Sequence, residues 1–373
     1  MSGLVGPAPN LPRVAAVGCG FWGKNIARNL AHLGALHSIC EPDTVRAARV
    51  SAEFGVPLRT LDQLLEDSRC DAIALASPAA LHGRQVRRAL DAGKHVFVEK
   101  PLALNLAEGE KLAVLARQRS RVLMVGHLLH YHPHILKLIE LVKSGKLGEV
   151  KCIYANRLSP GRLRSEEDVM WSFAPHDISV ILAIMGEMPT RVRAEGSSIL
   201  SEKVVDIASI FMDFAGGVSA RVHVSWINPY KEQKITVVGS KATAIFDDRV
   251  AWQDKLLVFD HQIVYRDGRP WSVKAQAERY DLKECEPLRE ECGHFLDSVR
   301  YGTPPRTDSA EAIRVLAVLD AASRAVGKRR PPRQGFDRHR PVERNLPLSG
   351  QSSATNSVAA NDAGTLIDPR FAN

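Results

Sequence analysis

The 373-residue sequence lacks several features that mark particular classes of protein. It contains no run of 18 apolar residues, so no membrane-spanning helix is predicted. Its six cysteines form neither a C-x-x-C pair nor a Cys/His zinc spacing, which favours reduced thiols and no metal site. Residues 1–12 have no basic start and no long apolar stretch. We therefore read them as a short leader and expect a cytoplasmic protein.

The sequence is also poor in aromatic residues, at 6%, although it carries a net charge of +8. Much of that charge lies in one segment, because residues 328–344 hold seven Lys or Arg against two Asp or Glu, with Phe336 as their single aromatic neighbour. Surfaces that bind nucleic acid usually spread basic residues over a face and interleave aromatic ones. We expect residues 327–373 to be a basic tail without a nucleic-acid partner; salt-dependent DNA binding by this tail is the alternative.

The apolar content of 45% is sufficient for two domains with cores of their own. From residue 13 to 125, short apolar runs alternate with amphipathic helical stretches. This pattern predicts an α/β fold with a doubly wound parallel Rossmann sheet over residues 13–127. Longer alternating segments follow, which predict a second α/β domain over 128–326 with an open, mainly antiparallel sheet. Its last helix could pack back on the Rossmann domain.

A glycine-rich turn follows the first predicted strand and fits the spacing G-x-G-x-x-G. Glu41 comes 23 positions after the first of these glycines, at the end of the second predicted strand. A carboxylate there can accept hydrogen bonds from ribose hydroxyls and repels a 2′-phosphate, which favours NAD over NADP. A Rossmann-like domain without cofactor is the alternative. The turn residues predicted to contact the cofactor are Gly18, Gly20, Phe21, Trp22 and Gly23.

The tripeptide Glu99-Lys100-Pro101 directly follows the fourth predicted strand. A lysine at the carboxyl end of a parallel strand lies at the crevice where such sheets bind their ligands. Burial next to a cationic nicotinamide would lower the pKa of Lys100 and suit it to proton transfer. A surface Glu/Lys pair before a proline is the alternative interpretation.

Two further segments contain side chains suited to a site. His176 and Asp177 stand at the start of an apolar helix predicted from Asp177 to about Met185, preceded by Pro175. An arginine cluster upstream could bind a diphosphate or a carboxylate, or could be a solvated loop; it consists of Arg157, Arg162 and Arg164. Residues 126–133 are rich in histidine, but no carboxylate has the spacing for a metal site.

Taken in order, these motifs resemble the Gfo/Idh/MocA oxidoreductase family over roughly residues 13–326. The elements that carry the resemblance are the glycine turn, Ser77-Pro78 with His82, residues 92–101, and the helix of His176 and Asp177. The resemblance implies NAD-dependent oxidation of a sugar hydroxyl and an open sheet that forms a homodimer or homotetramer. The cofactor contacts that it implies are Gly18, Gly20, Phe21, Trp22, Gly23, Glu41, Ser77, Pro78, His82, Glu99 and Lys100.

Carried over by motif, Lys100 and His176 are the proton-transfer groups. Many members have an aspartate four residues before the histidine, where this sequence has Ser172, so either Lys100 or His176 is the base. His130 and Tyr131 occupy positions where members of the family often have an arginine followed by an aromatic residue. The substrate contacts implied are Lys100, Tyr131, Arg157, Arg162, Arg164, Ser172, His176 and Asp177.

Residues 156–179 are most similar to members that act on nucleotide-activated amino sugars. This implies oxidation of the C3 hydroxyl of UDP-N-acetylglucosamine, whose 3-keto product would pass to an aminotransferase in the synthesis of lipid A. The alternatives are UDP-N-acetylglucosaminuronate and free sugars or inositol. A non-catalytic NAD-sensing regulator is a further alternative.

Overall fold

The first part of the chain forms a five-stranded parallel sheet in the order β2-β1-β3-β4-β5. The computed structural model describes residues 11–161, 163, 167–200, 204–260, 262–273 and 275–328. The strands of this sheet are β1 (Val14–Val17), β2 (Leu36–Cys40), β3 (Ala72–Leu75), β4 (His95–Glu99) and β5 (Leu123–Gly126). The helices that connect them are α1 (Gly23–His32), α2 (Thr44–Phe54), α3 (Leu61–Glu66), α4 (Ala79–Asp91) and α5 (Leu106–Gln118).

The parallel sheet is apolar along the whole length of its central strands. Every residue of β1, β3 and β5 is buried, as expected where helices cover both faces of a sheet. The chain places β2 on one side of β1 and β3 on the other. Ligands of such sheets bind beyond the carboxyl ends of the strands at this reversal. The Rossmann prediction is confirmed, although the short helix α3 was not predicted.

A second sheet of eight strands has the order β15-β12-β11-β10-β6-β9-β8-β7. Strands β6 and β9 pair parallel, and the other neighbours pair antiparallel, so the mainly antiparallel prediction is also confirmed. The strands are β6 (Val150–Pro160), β7 (Arg191–Ser197), β8 (Ile207–Asp213), β9 (Ser219–Ser225), β10 (Ile227–Gly239), β11 (Ala242–Asp247), β12 (Leu256–Asp260) and β15 (Ala277–Arg279). A separate hairpin consists of β13 (Gln262–Arg266) and β14 (Arg269–Val273).

Four helices accompany the second sheet: α6 (Pro133–Lys143), α7 (Val169–Met185), α8 (Pro287–Tyr301) and α9 (Ser309–Lys328). Short 3₁₀ helices span Leu128–Tyr131, Ala215–Gly217 and Trp252–Asp254. Helix α8 packs on α1, and α9 contacts both α5 and α7. The last two helices thus return to the Rossmann part, and the domain limits at residues 127 and 326 stay predictions. No helix in the described ranges is long and apolar enough to span a membrane.

Helix α7 begins eight residues earlier than the predicted start at Asp177. The carboxylate of Asp168 caps the new start by accepting hydrogen bonds from the backbone N–H groups of Met170 and Trp171. Pro175 therefore lies inside the helix, where it removes one backbone donor. The predicted start was wrong because the cap formed by Asp168 begins the helix before Pro175. Nearly all of the predicted basic tail lies outside the described residues.

Candidate active site

The glycine turn fits a dinucleotide because each of its three glycines meets a different constraint. A Cβ on Gly18 would lie 2.8 Å from the carbonyl oxygen of Ala76, and a Cβ on Gly23 would lie 1.9 Å from that of Gly18. A Cβ on Gly20 would meet nothing within 4 Å. Gly18 therefore lets the turn pack against the end of β3, and Gly23 lets the start of α1 pack against Gly18. Gly20 leaves open space in which a pyrophosphate can approach the backbone.

Glu41 lies against this turn, as its position after β2 predicted. Its carboxylate accepts hydrogen bonds from the backbone N–H groups of Cys19 at 2.6 Å and Asp43 at 3.0 Å. Arg46 donates a third hydrogen bond to the carboxylate at 3.1 Å. The side chain is 2% exposed, so Glu41 fixes the shape of the adenosine end of the crevice in addition to carrying its negative charge.

Ser77 and Pro78 follow β3, and Pro78 begins α4 as its N-cap. His82 on α4 is 1% exposed, and its two ring nitrogens lie 2.7 Å from the carbonyl oxygen of Pro101 and 2.8 Å from that of Ser77. Burial lowers the pKa of His82, whereas the two carbonyls favour its protonated form. His82 therefore joins the loop after β3 to the segment of Lys100, so any effect on the cofactor passes through those backbone atoms.

Lys100 follows β4 and reaches across to helix α7. Its Nζ donates a hydrogen bond of 2.5 Å to the backbone carbonyl of Ser172. Ser172 is one helical turn before His176, so the position without the family's aspartate still orients the lysine through its backbone. Lys100 thus lies beside Ser172 and His176, the two α7 residues expected to act with it.

His176 is partly buried in α7 near several cations. Burial lowers its pKa well below the usual value for histidine, and the charges of Lys100 and Arg157 lower it further. Its imidazole is therefore neutral at physiological pH, and one ring nitrogen retains a lone pair that can accept a proton.

Glu99 connects the lysine to the glycine turn. Its carboxylate accepts a 2.5 Å hydrogen bond from the indole N–H of Trp22. Burial raises its pKa, whereas Lys100 and the hydrogen bond from Trp22 act in the opposite direction. Trp22 and Phe21 remain 38% and 67% exposed, so two aromatic rings border the mouth of the crevice. The structure thus brings Trp22 and Glu99, two of the predicted cofactor contacts, next to each other.

Arg157 and Asp177 were both predicted to contact substrate, and the structure pairs them with each other. The guanidinium donates two hydrogen bonds to the carboxylate, at 2.7 and 3.0 Å, and both side chains are buried. The pair joins strand β6 to helix α7 one residue after His176. Substrate contacts by Arg157 or Asp177 stay predictions, and the predicted Arg162 and Arg164 lie outside the described residues.

Tyr131 does not lie among the residues of the cleft. Its ring is 3% exposed and packs with the apolar residues between the parallel sheet and α8, with the guanidinium of Arg306 over its face. Its hydroxyl is 3.3 Å from that of Thr307. The short 3₁₀ helix turns the tyrosine into the core, which is a physical argument against the predicted substrate contact.

The histidine-rich segment 126–133 has a carboxylate partner, Glu311, on helix α9. Nδ1 of His127 is hydrogen-bonded to Oε2 of Glu311, and Nε2 of His130 is 3.7 Å from the other oxygen of the same carboxylate. Glu311 is 184 positions away from His127, so local spacing could not reveal it. In the described part of the chain, no group of three or more His, Cys, Asp or Glu side chains is placed to hold a metal ion.

Comparisons with known proteins agree with this architecture. Residues 12–127 match the family model of Gfo/Idh/MocA oxidoreductases with an NAD-binding Rossmann fold, and residues 135–245 match the corresponding C-terminal domain. A dTDP-3,4-didehydro-2,6-dideoxy-alpha-D-glucose 3-reductase from Actinomadura kijaniata is 32% identical over 83% of this chain and 94% of its own. The chain belongs to the Gfo/Idh/MocA family. It is an oxidoreductase, and its cofactor is NAD.

Other relatives of this Gfo/Idh/MocA protein have different printed substrates. UDP-N-acetylglucosamine 3-dehydrogenase from Acidithiobacillus ferrooxidans is 28% identical over 82% of this chain and 94% of its own. Its solved structure matches with a TM-score of 0.74 at 26% identity, covering 85% of this chain and 97% of that one. Myo-inositol 2-dehydrogenase from Thermotoga maritima is 27% identical over 85% of this chain and 97% of its own. The fold and family are therefore shared by enzymes for nucleotide sugars and for a free polyol.

Proposed function

We propose that this protein is an NAD-dependent 3-dehydrogenase of a nucleotide-activated amino sugar, with UDP-N-acetylglucosamine as its substrate. The observation that carries the proposal is the convergence of Lys100, the Ser172 carbonyl and His176 beyond the carboxyl end of β4, beside the glycine turn. This is the crevice in which a parallel sheet of this topology binds its ligands. The relative from A. ferrooxidans supports the choice of substrate.

Lys100 and His176 share the proton chemistry in this proposal. NAD, held by the glycine turn and Glu41, would supply the hydride acceptor for the sugar carbon, and the Lys100 and His176 pair takes the proton from the hydroxyl on that carbon. The neutral imidazole of His176 supplies a lone pair, and the Ser172 carbonyl holds the lysine Nζ in place. Such positioned acid–base groups contribute about 10²- to 10⁴-fold to rate.

The remaining contacts position the two reactants. Glu41 would accept hydrogen bonds from the ribose hydroxyls of the cofactor, and the exposed rings of Phe21 and Trp22 would contact it. The buried pair of Arg157 and Asp177 ties β6 to α7 next to His176 and so would help to fix the position of this histidine. Arg162 and Arg164, on the chain that follows β6, would bind the diphosphate of the substrate. The 3-keto product is a substrate for an aminotransferase, which would connect the enzyme to lipid A synthesis.

A panel of sugars incubated with NAD tests the choice of substrate. It contains UDP-N-acetylglucosamine, UDP-N-acetylglucosaminuronate and free myo-inositol, with NADH absorbance and product mass as readouts. We expect UDP-N-acetylglucosamine to lose two hydrogens and to give a kcat/KM at least about 10-fold above that of inositol, because missing polar contacts cost this much or more. Preference for inositol would overturn the proposal. Inositol is the second candidate substrate, because the relative from T. maritima that is 27% identical is a myo-inositol 2-dehydrogenase.

A further inference from the structure

His127 occupies a position in the sheet equivalent to that of Lys100. Strands β4 and β5 are parallel neighbours, and Glu99 is the register partner of Gly126. Lys100 and His127 are the next residue on each strand, so the topology brings both to the same end of the sheet. His127 also acts electrostatically on Glu99 and on His176. By this register, His127, a member of the histidine-rich segment 126–133, is a neighbour of Lys100 on the adjacent strand.

Helix α9 supplies the group that orients His127. Glu311 lies in the first turn of α9, and its carboxylate is hydrogen-bonded to Nδ1 of His127. His127 is 2% exposed and Glu311 is 6% exposed, so water does not screen this contact. The position near a helix N-terminus stabilises a carboxylate. With a carboxylate on Nδ1, the proton stays on that nitrogen, and Nε2 is the nitrogen with the lone pair.

The charges around the pair keep Glu311 ionised. Burial acts to raise the pKa of Glu311, but the hydrogen bond from His127 lowers it below the usual value, and the charge of Arg314 adds to this effect. A buried carboxylate with an imidazole partner is the arrangement that stabilises an imidazolium when the ring accepts a proton. Glu311 from α9 is hydrogen-bonded to His127, and the titratable groups coupled to His127 electrostatically are Glu99 from β4, His176 from α7 and His130 from the 3₁₀ helix.

We propose that His127 is a further proton-transfer residue of this enzyme and that Glu311 is its positioning residue. The hydroxyl proton released when the sugar carbon gives up its hydride moves from the Lys100 and His176 pair to Nε2 of His127. The ionised Glu311 stabilises the resulting imidazolium until the proton leaves to solvent. The proposal rests on the proposed roles of Lys100 and His176, and its test includes a measurement that is independent of them.

The kinetic part of the test uses Glu311→Gln, which keeps the shape and a hydrogen-bond acceptor but removes the charge. We expect kcat to fall about 10- to 100-fold, the range seen when metal-binding histidines lose the carboxylate that orients them, and KM for the sugar to change less than about threefold. The matched control is Asp320→Asn, a carboxylate on the same helix that pairs with Arg324 at the surface. It should keep wild-type kcat, and an equal fall in both variants would overturn the proposal.

The second part is NMR of protein labelled with ¹⁵N-histidine, without cofactor or substrate. The His127 ring, assigned with His127→Asn, should carry its proton on Nδ1 in the wild type, and this proton resonance should move upfield in Glu311→Gln. A wild-type ring protonated on Nε2 would overturn the proposal, even if Glu311→Gln does not fold. If Lys100→Ala retains activity, the proposed role of Lys100 fails, but the NMR result still decides whether Glu311 orients His127.

Discussion

The cofactor side and the proton-transfer side of the crevice are built in different ways. On the cofactor side, backbone contacts dominate: three glycines shape the turn, and Glu41 accepts hydrogen bonds from two backbone N–H groups in addition to its ion pair with the half-exposed Arg46. On the other side, charged side chains pair with each other in the interior, as Arg157 does with Asp177 and His127 with Glu311. The cofactor side therefore depends on backbone shape, and the proton-transfer side on matched buried charge.

The largest effect that this comparison predicts is on stability. Asp177→Ala leaves the Arg157 guanidinium buried without its bidentate partner, and we expect the free energy of unfolding to fall by about 3–5 kcal/mol. Chemical denaturation of the enzyme measures this loss. The matched control, Asp91→Ala, breaks the surface pair with Arg119 and should cost less than about 1 kcal/mol. Similar losses in the two variants would contradict the distinction between buried and surface charge.

A double substitution tests whether the fold needs the charges of Arg157 and Asp177 or only the volume of their side chains. Because apolar residues of similar volume can replace a buried pair at little cost, the double variant Arg157→Met, Asp177→Leu should regain most of the stability lost in Asp177→Ala. Its activity should stay low, since the charges beside His176 are gone. Recovery of both stability and turnover would show that the pair is structural only.

The next effect concerns the glycine turn. Gly23→Ala places a methyl group against the Gly18 carbonyl, and such overpacking costs about 1–3 kcal/mol. Gly20→Ala points its methyl group into open space, so thermal unfolding without NAD should match that of the wild type. NAD affinity of Gly20→Ala, measured by tryptophan fluorescence, should nevertheless fall about 10-fold, because the methyl group occupies the space of the pyrophosphate. Unchanged affinity would place the pyrophosphate elsewhere.

The smallest predicted effect is on cofactor choice. Glu41→Gln removes the charge that repels a 2′-phosphate and frees Arg46 from its ion pair with Glu41. We expect the ratio of NADP to NAD affinity to rise about 10-fold, since an arginine near this position accommodates the phosphate. Titration of both cofactors measures the ratio. A fall in affinity for both, with the ratio unchanged, would mean that Glu41 acts through the shape of the turn alone.

The two sides of the crevice also differ in how many of their contacts could be predicted from the sequence. The glycine spacing, Glu41 and Lys100 were found because each is determined by its place next to a strand, and the alternating apolar runs marked those strands. The partners of Arg157 and His127 were not found, because Asp177 and Glu311 reach them through tertiary packing over 20 and 184 positions. The burial of Tyr131 could not be predicted for the same reason, since it depends on packing against α8, and its predicted substrate contact stays a prediction. Local patterns predict the strand ends, but they do not predict which buried charges meet.

The central claim is that Lys100 acts at the reacting centre and does not merely hold the cofactor. Lys100→Met, which keeps the length of the side chain, tests it directly, with the exposed Lys111→Met on α5 as the control. We expect the kcat of Lys100→Met, measured with the best sugar of the panel, to fall at least about 100-fold, while NAD affinity measured by fluorescence stays within about threefold of the wild type. A variant that retains more than about a tenth of wild-type kcat would contradict the account.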